Sequence, residues 1–336
     1  MSKDFHDPLV APGTTDLPER FFDRFMFNLH PTWETTPSVI TGFGHYPAKD
    51  VADGFAIVST KTEQRNVRFS TELSATEGHG AGPLRFEVIE PNQAWRLRLG
   101  PNPTGMEYDV IWRARTPYWL GDVAVDNADA ETTDFEHLVQ SGRYEGTLTI
   151  DGDTQRVNGW YGQRDRSRGV RNLSGGQGMH IWFQAQFPDR SVSILLVEDR
   201  QGGRLLLDGA VLHEHGAVDD VIDVRHDLRF DGIDLRGGTV EVVTQRGTTY
   251  SIGVDASSGG GLMAGGGYGG HHGRRKGLDH LEHDTYPLDG SVHQRTLDSP
   301  LTDRLAAYTW NGSRGTGIFE FALSRSDSYT YRPSPA

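Results

Sequence analysis

The sequence predicts an all-β protein built as two antiparallel β-barrels with few short helices, and three observations carry that expectation. Apolar residues recur at every second position in many short runs, turn-forming residues separate the runs, and helical periods are scarce. In order along the chain, Val67, Phe69, Thr71 and Leu73 alternate, then Leu84, Phe86 and Val88, then Trp95, Leu97 and Leu99. Glu90-Pro91-Asn92-Gln93 supplies turn chemistry between the last two runs. Tyr144, Leu148 and Ile150 lead into Asp151-Gly152-Asp153, and the chain resumes at Val157, the pattern of a hairpin with one apolar face. Ile194 and Leu196 precede a turn over 199–203 and then Leu205 and Leu207; Val240 and Val242 precede Gln245-Arg246-Gly247 and then Tyr250, Ile252 and Val254. The only helical candidates are 17–27 and 302–308.

Hairpins with one apolar face suit barrels or sandwiches, since a parallel sheet needs interleaved helices. An up-and-down barrel of about eight strands can hold a small apolar ligand in its lumen, and two such barrels fit 336 residues. Alternation pauses over 162–178, where arginine, serine and glycine dominate, so the expected division is 1–175 and 176–336.

Composition narrows the function classes. With 35% hydrophobic and 24% charged residues the chain can build a core, and 42 glycines imply many turns. A net charge of −13 argues against a nucleic-acid partner, which needs a positive surface. The absence of cysteine excludes disulfides, thiolate metal sites and cysteine nucleophiles. Met1 to Pro8 lacks a signal-peptide pattern and no apolar run approaches the ~18 residues of a membrane helix, so the expectation is a soluble, cytoplasmic protein without an integral membrane segment. The glycine-rich stretch 257–273 reads as a flexible loop, because no Gly-Lys-Ser/Thr element follows it to make a phosphate cradle. His213-Glu214-His215 would place two imidazoles on one strand face, but such a pair is non-specific, and no metal is assigned. An exposed barrel edge could pair two chains as a homodimer.

The most unusual segment is 159–172, with five charges and two aromatics. In extended backbone Tyr161, Gln163, Asp165 and Ser167 share one side, and Arg164, Arg166 and Arg168 the other. Asp165 is then not simply neutralised by its flanking arginines. The alternative to a chemical role is a buried Asp–Arg network pinning the junction between two barrels; either demands partners.

The run from Gly162 through Arg164, Asp165, Arg166, Ser167, Arg168 and Gly169 to Arg171 resembles the G-x-R-D-H-S-W-G-x-R signature of the carotenoid hydratase (hydroxyneurosporene synthase) superfamily. Upstream, the strand from His137 through Gln140 and Gly142 to Gly146 resembles the family's H-x-x-Q-x-G-x-x-x-G element. Downstream, Trp182 and Gln184 resemble its W-x-Q strand, and Gly315, Gly317 and Glu320 its closing G-x-G-x-x-E strand. Here Arg166 replaces the signature histidine and Arg168 the tryptophan, so a mechanism through that histidine does not carry over.

The resemblance implies two tandem lipocalin-like barrels and a lipophilic, isoprenoid or polyketide-like substrate of secondary metabolism in an enclosed pocket. It further implies hydratase, dehydratase, isomerase or cyclase chemistry without a cofactor. Hydrating an alkene needs an acid near one carbon and water near the other, with aromatic faces stabilising a developing cation. Asp165 is the acid candidate, His137 and Tyr161 are next in line, and pairing with Arg171 or Arg164 would turn Asp165 into an orienting group. Trp119, Trp160, Gln163, Arg164, His180, Trp182 and Gln184 are the expected substrate contacts. Beside this lyase reading stand a non-catalytic carrier of a lipophilic ligand and, third, a carbohydrate-active protein, which would need a second carboxylate for Asp165.

Overall fold

The computed structural model describes residues 8–125, 133–171 and 177–334. The first sheet is formed by β1 (Phe21–Leu29), β2 (Ser38–Tyr46), β3 (Val51–Ser59), β4 (Glu63–Glu72), β5 (His79–Ala81), β6 (Leu84–Glu90), β7 (Ala94–Leu99), β8 (Met106–Ala114), β9 (Trp119–Val125), β10 (Thr133–Ile150) and β11 (Asp153–Val170). The second takes β12 (Gln177–Phe187), β13 (Arg190–Asp199), β14 (Arg204–His213), β15 (Val218–Asp231), β16 (Asp234–Thr244) and β17 (Thr249–Asp255). The chain then sends β18 (His280–Pro287) back to pair with β4 before β19 (Thr302–Trp310) and β20 (Ser313–Leu323) complete the second sheet. The second sheet is a closed eight-stranded barrel; the first is a twelve-stranded sheet curled so that β5 meets β3 and β4.

Every strand pairing is antiparallel, and the predicted hairpins appear with the expected chemistry. Between β10 and β11, Asp151 (φ 52°) and Gly152 (φ 85°) take the two left-handed positions that a two-residue turn matching strand twist requires. The two helical candidates are strands. Residues 17–27 contribute to β1 and 302–308 to β19, and the described residues contain helix only as three short 3-10 turns. In β1, Phe25, Phe27 and Leu29 enter the first core while Met26 enters the junction. Burial on both faces erases the alternation that would have marked a strand.

Three larger apolar clusters, and a small one of Phe22, Tyr46 and Val51, are found among the described residues. Phe25, Phe27, Trp95, Trp112 and Tyr144 fill the curled sheet, and Phe183, Tyr308, Phe319 and Phe321 fill the closed barrel. Both interiors are occupied by side chains, so the expected lumenal ligand site is not where the cavity lies. The third cluster, including Met26, Phe55, Phe135, Trp182, Leu195 and Ile318, lies between the two sheets. Polar pairs flank it: Ser141 Oγ donates to Ser191 Oγ at 2.8 Å, Gln186 to Gln163 at 3.2 Å, and Thr316 to the Pro31 carbonyl at 3.1 Å.

The segment 162–178 does not interrupt the sheet as expected, because its first part, to Val170, is the end of β11. It is buried on both faces, and its charges alternate where a core strand's apolar residues would. A Cβ on Gly162 would stand 1.8 Å from the Asn28 carbonyl oxygen, so glycine is what lets β11 approach β1 here. The glycine-rich stretch is packed rather than open. Leu262 N–H donates to Gln64 Oε1 at 2.8 Å, and a Cβ on Gly265 would lie 2.1 Å from Asn66 Oδ1. No helix among the described residues is long and apolar enough to cross a membrane.

Candidate active site

Alternation along β11 decides which charges are structural. Arg164 and Arg166 point into the curled sheet. Arg166 makes a two-pronged pair with buried Asp23, at 2.9 and 2.7 Å, and lies over the Phe25 ring. Arg164 bonds Asn92 Oδ1 at 2.9 Å between the faces of Trp95 and Trp112. Arg168, also on that parity, pairs with Glu136 at 2.6 Å. Asp165 and Ser167 face the opposite way, toward the closed barrel, into a cavity of about 380 Å³ between the sheets.

This cavity brings together Asp165, His137, Arg171, His180 and Trp182 from the residues singled out in the sequence. His137, on β10, sits opposite Ser167 in register, which sets its imidazole diagonal to Asp165; Nε2 lies 2.5 Å from Asp165 Oδ2. From the other wall, His180 on β12 places Nε2 2.5 Å from Glu320 Oε1 on β20. Both carboxylates are buried, at 8% exposure, so each is committed to a partner rather than to water. Met26, Trp182, Leu195 and Leu301 supply the apolar lining, and Tyr268 and His272 of the glycine-rich segment close one side.

Behind Glu320 stands Asp303, its register partner on β19 and fully buried. Burial first, and then the neighbouring Glu320 charge, raises the Asp303 carboxyl well above its ordinary range. Burial alone would raise Glu320 as well, but the bond and charge of His180, with Asp303 and Arg171, outweigh it and hold Glu320 below its usual value. The two adjacent carboxyls are thus pushed in opposite directions, Asp303 up and Glu320 down.

The remaining candidates lie elsewhere. Trp160 belongs to the core of the curled sheet, on the parity opposite to Asp165, as does Arg164. Tyr161 is sandwiched by the guanidinium groups of Arg115 and Arg143, 4.7 and 5.2 Å from its ring centre. Gln163 and Gln184 are engaged by Gln186 and Ser193 within the junction, and Trp119 opens β9 opposite Val139. None of the six lines the cavity. For Trp160 and Arg164, parity counted from Asp165 already separates them from it in the sequence. Conversely, the sequence singles out none of Arg24, Asp303 and Tyr268, and Glu320 only as the end of the closing G-x-G-x-x-E element; all four stand at or behind the cavity wall. His213 ends β14 and His215 falls in the following turn, so the two share no strand face. Among the described residues no group of three or more His, Cys, Asp or Glu is placed to hold a metal ion.

The chain belongs to a family of unknown function, DUF8625, whose model matches residues 5–327. A solved structure from Nitrosomonas europaea, provisionally named AttH, is 12% identical with a TM-score of 0.59, covering 94% of this chain and 98% of that one. At that identity the likeness establishes a shared fold. Kievitone hydratase from Nectria haematococca is 11% identical with a TM-score of 0.47, covering 94% of each chain. No curated protein matches the sequence.

Proposed function

We propose that this member of DUF8625 is a cofactor-independent lyase of the hydratase or dehydratase type, acting on a small lipophilic unsaturated compound in the junction cavity. The observation that carries this reading is the pair of His–carboxylate couples, His137–Asp165 and His180–Glu320, one on each wall of a single cavity with an apolar lining. The resemblance of residues 162–171 to the hydratase signature supports it.

In the hydration direction, ionised Glu320 takes a proton from water as the water oxygen bonds to one alkene carbon. The His137–Asp165 couple gives a proton to the other carbon. The sum adds H and OH across the double bond with no redox change, and dehydration runs the same transfers backward. His180, paired with Glu320, keeps that carboxylate from being an uncompensated buried charge. Trp182 and Tyr268 hold the substrate by apolar contact and keep bulk water from the reacting carbons.

The test is mass spectrometry of the protein incubated with lipophilic extract of the producing cell in H₂¹⁸O. A product carrying ¹⁸O that vanishes in Asp165→Asn is the expected result. An isomeric, unlabelled product would instead indicate proton shuttling between the same couples, as in an isomerase or cyclase. A ligand retained but unaltered would indicate a carrier.

A further inference from the structure

The lining of the cavity contains two arginines that the chain itself leaves without a carboxylate. Arg24 on β1 and Arg171, just beyond β11, both line it. Neither forms a salt bridge among the described residues, although all three β11 arginines of the opposite parity have close polar partners. The Arg24 guanidinium lies 4.9 Å from the Tyr268 ring centre and 5.6 Å from that of Phe22. That of Arg171 lies 4.2 Å from Phe135 and 5.6 Å from Phe22, with one long hydrogen bond, 3.4 Å, to Ser167 Oγ. Arg171 Nε is buried without any hydrogen-bond partner. The Tyr46 hydroxyl also lies beside Arg24, and the nearby carboxylates are engaged otherwise: Asp165 by His137, Glu320 by His180, and Asp53 by His272 and the Gly273 N–H.

Two guanidinium groups held against the Phe22 ring, aimed at a cavity rather than at a protein acid, are an arrangement for an incoming anion. A buried charge without a partner is costly, and the chain pairs such charges elsewhere. The same two charges would oppose a carbocation forming nearby, so a plain hydrocarbon alkene is poorly matched to this site. Resting on the proposed function, we infer that the substrate carries a carboxylate, bound by Arg24 and Arg171, beside the carbons on which the two His–carboxylate couples act. The planar fork of arginine matches a carboxylate in two-point fashion. A phosphate would offer the same recognition, but its second charge would meet Asp165 and Glu320 in a cavity this small. An anionic group conjugated to the alkene also gives the guanidinium groups a chemical role, since charge developing on it during addition of water falls where they point.

Calorimetric titration at neutral pH with octanoate, octanamide and octyl phosphate tests this on the intact chain. Octanoate should bind about tenfold or more tightly than its neutral isostere octanamide, the preference expected of charge-assisted hydrogen bonds. In the Arg24→Gln and Arg171→Gln variants that preference should shrink to about twofold or less, with octanamide affinity unchanged, which also shows that the variants are folded. Ala322→Trp, which fills the cavity, should abolish binding of both. Equal affinity for octanoate and octanamide overturns the carboxylate inference alone, as does tightest binding of octyl phosphate. Binding of neither octanoate nor octanamide, or full binding by Ala322→Trp, overturns the cavity as the substrate site and the inference with it.

Discussion

The two faces of β11 carry similar residues to opposite ends. On the inner face Arg166 and Asp23 meet in a dry two-pronged pair, and Arg164 lies between two tryptophan rings with polar groups on Asn92 and Gln140. One residue away, the outer face presents Asp165 to a cavity, with a histidine as its hydrogen-bonding partner and the guanidinium groups of Arg24 and Arg171 on the same lining. Charges that close on one another hold a fold; charges arranged around open space are available to a substrate. A charged motif therefore cannot be read as wholly catalytic or wholly structural, because the strand divides it residue by residue.

That contrast is broken most sharply by activity. Glu320→Gln and Asp165→Asn should each lower turnover by about 10²–10⁴-fold, with the far-ultraviolet dichroism and thermal midpoint close to wild type. A large fall in midpoint would move these residues to the structural side. Next, Asp23→Asn replaces the carboxylate of the two-pronged pair with a neutral amide, and urea unfolding should show a loss of about 3–5 kcal/mol. If the variant is as stable as wild type, the inner pair is not what secures β1 to β11.

A smaller effect sits beside the site. Asp208, on β14 against Gly121 of β9, has its carboxyl pushed up to about 6 by burial, against the opposing pull of His137. A raised folded value means the folded chain holds more protons than the unfolded one between about pH 4 and 6. Its contribution to stability is then fully present below about pH 4 and is lost, by about 2–3 kcal/mol, as pH rises through 6. Asp208→Asn should remove that fall, seen as a flatter plot of urea midpoint against pH; an unchanged slope would place the titration elsewhere. Smallest is Gly162→Ala, where β1 must give way to the new methyl group; a loss of about 1–3 kcal/mol in the same assay is expected, and none would mean the strands separate freely.

Much of the fold is legible in the sequence because hairpins are local: Asp151-Gly152 fixes a turn and the alternation on either side fixes a face. The second residue of the site pair is not. Glu320 meets His180 and Asp303 only when the last strands close the barrel, and it approaches Asp165 only when the two sheets dock. Nothing within a window of sequence records that meeting. Likewise β1 reads as helix because docking buries its second face, and β18 gives no sign that it leaves its own half to pair with β4. Within 159–172, by contrast, counting by two separates Asp165 from Trp160 and Arg164, so the division of that motif can be read from residue order alone.

In the proposed function two acid–base couples work from the two sheets upon one substrate lying between them. The most direct measurement is the relative configuration of the new C–H and C–O bonds formed from a prochiral alkene in D₂¹⁸O, read by nuclear magnetic resonance and mass spectrometry. Delivery from opposing walls predicts anti addition, with deuterium and ¹⁸O on opposite faces of the former double bond. Clean syn addition, or label entering equally in Glu320→Gln and wild type, would contradict it.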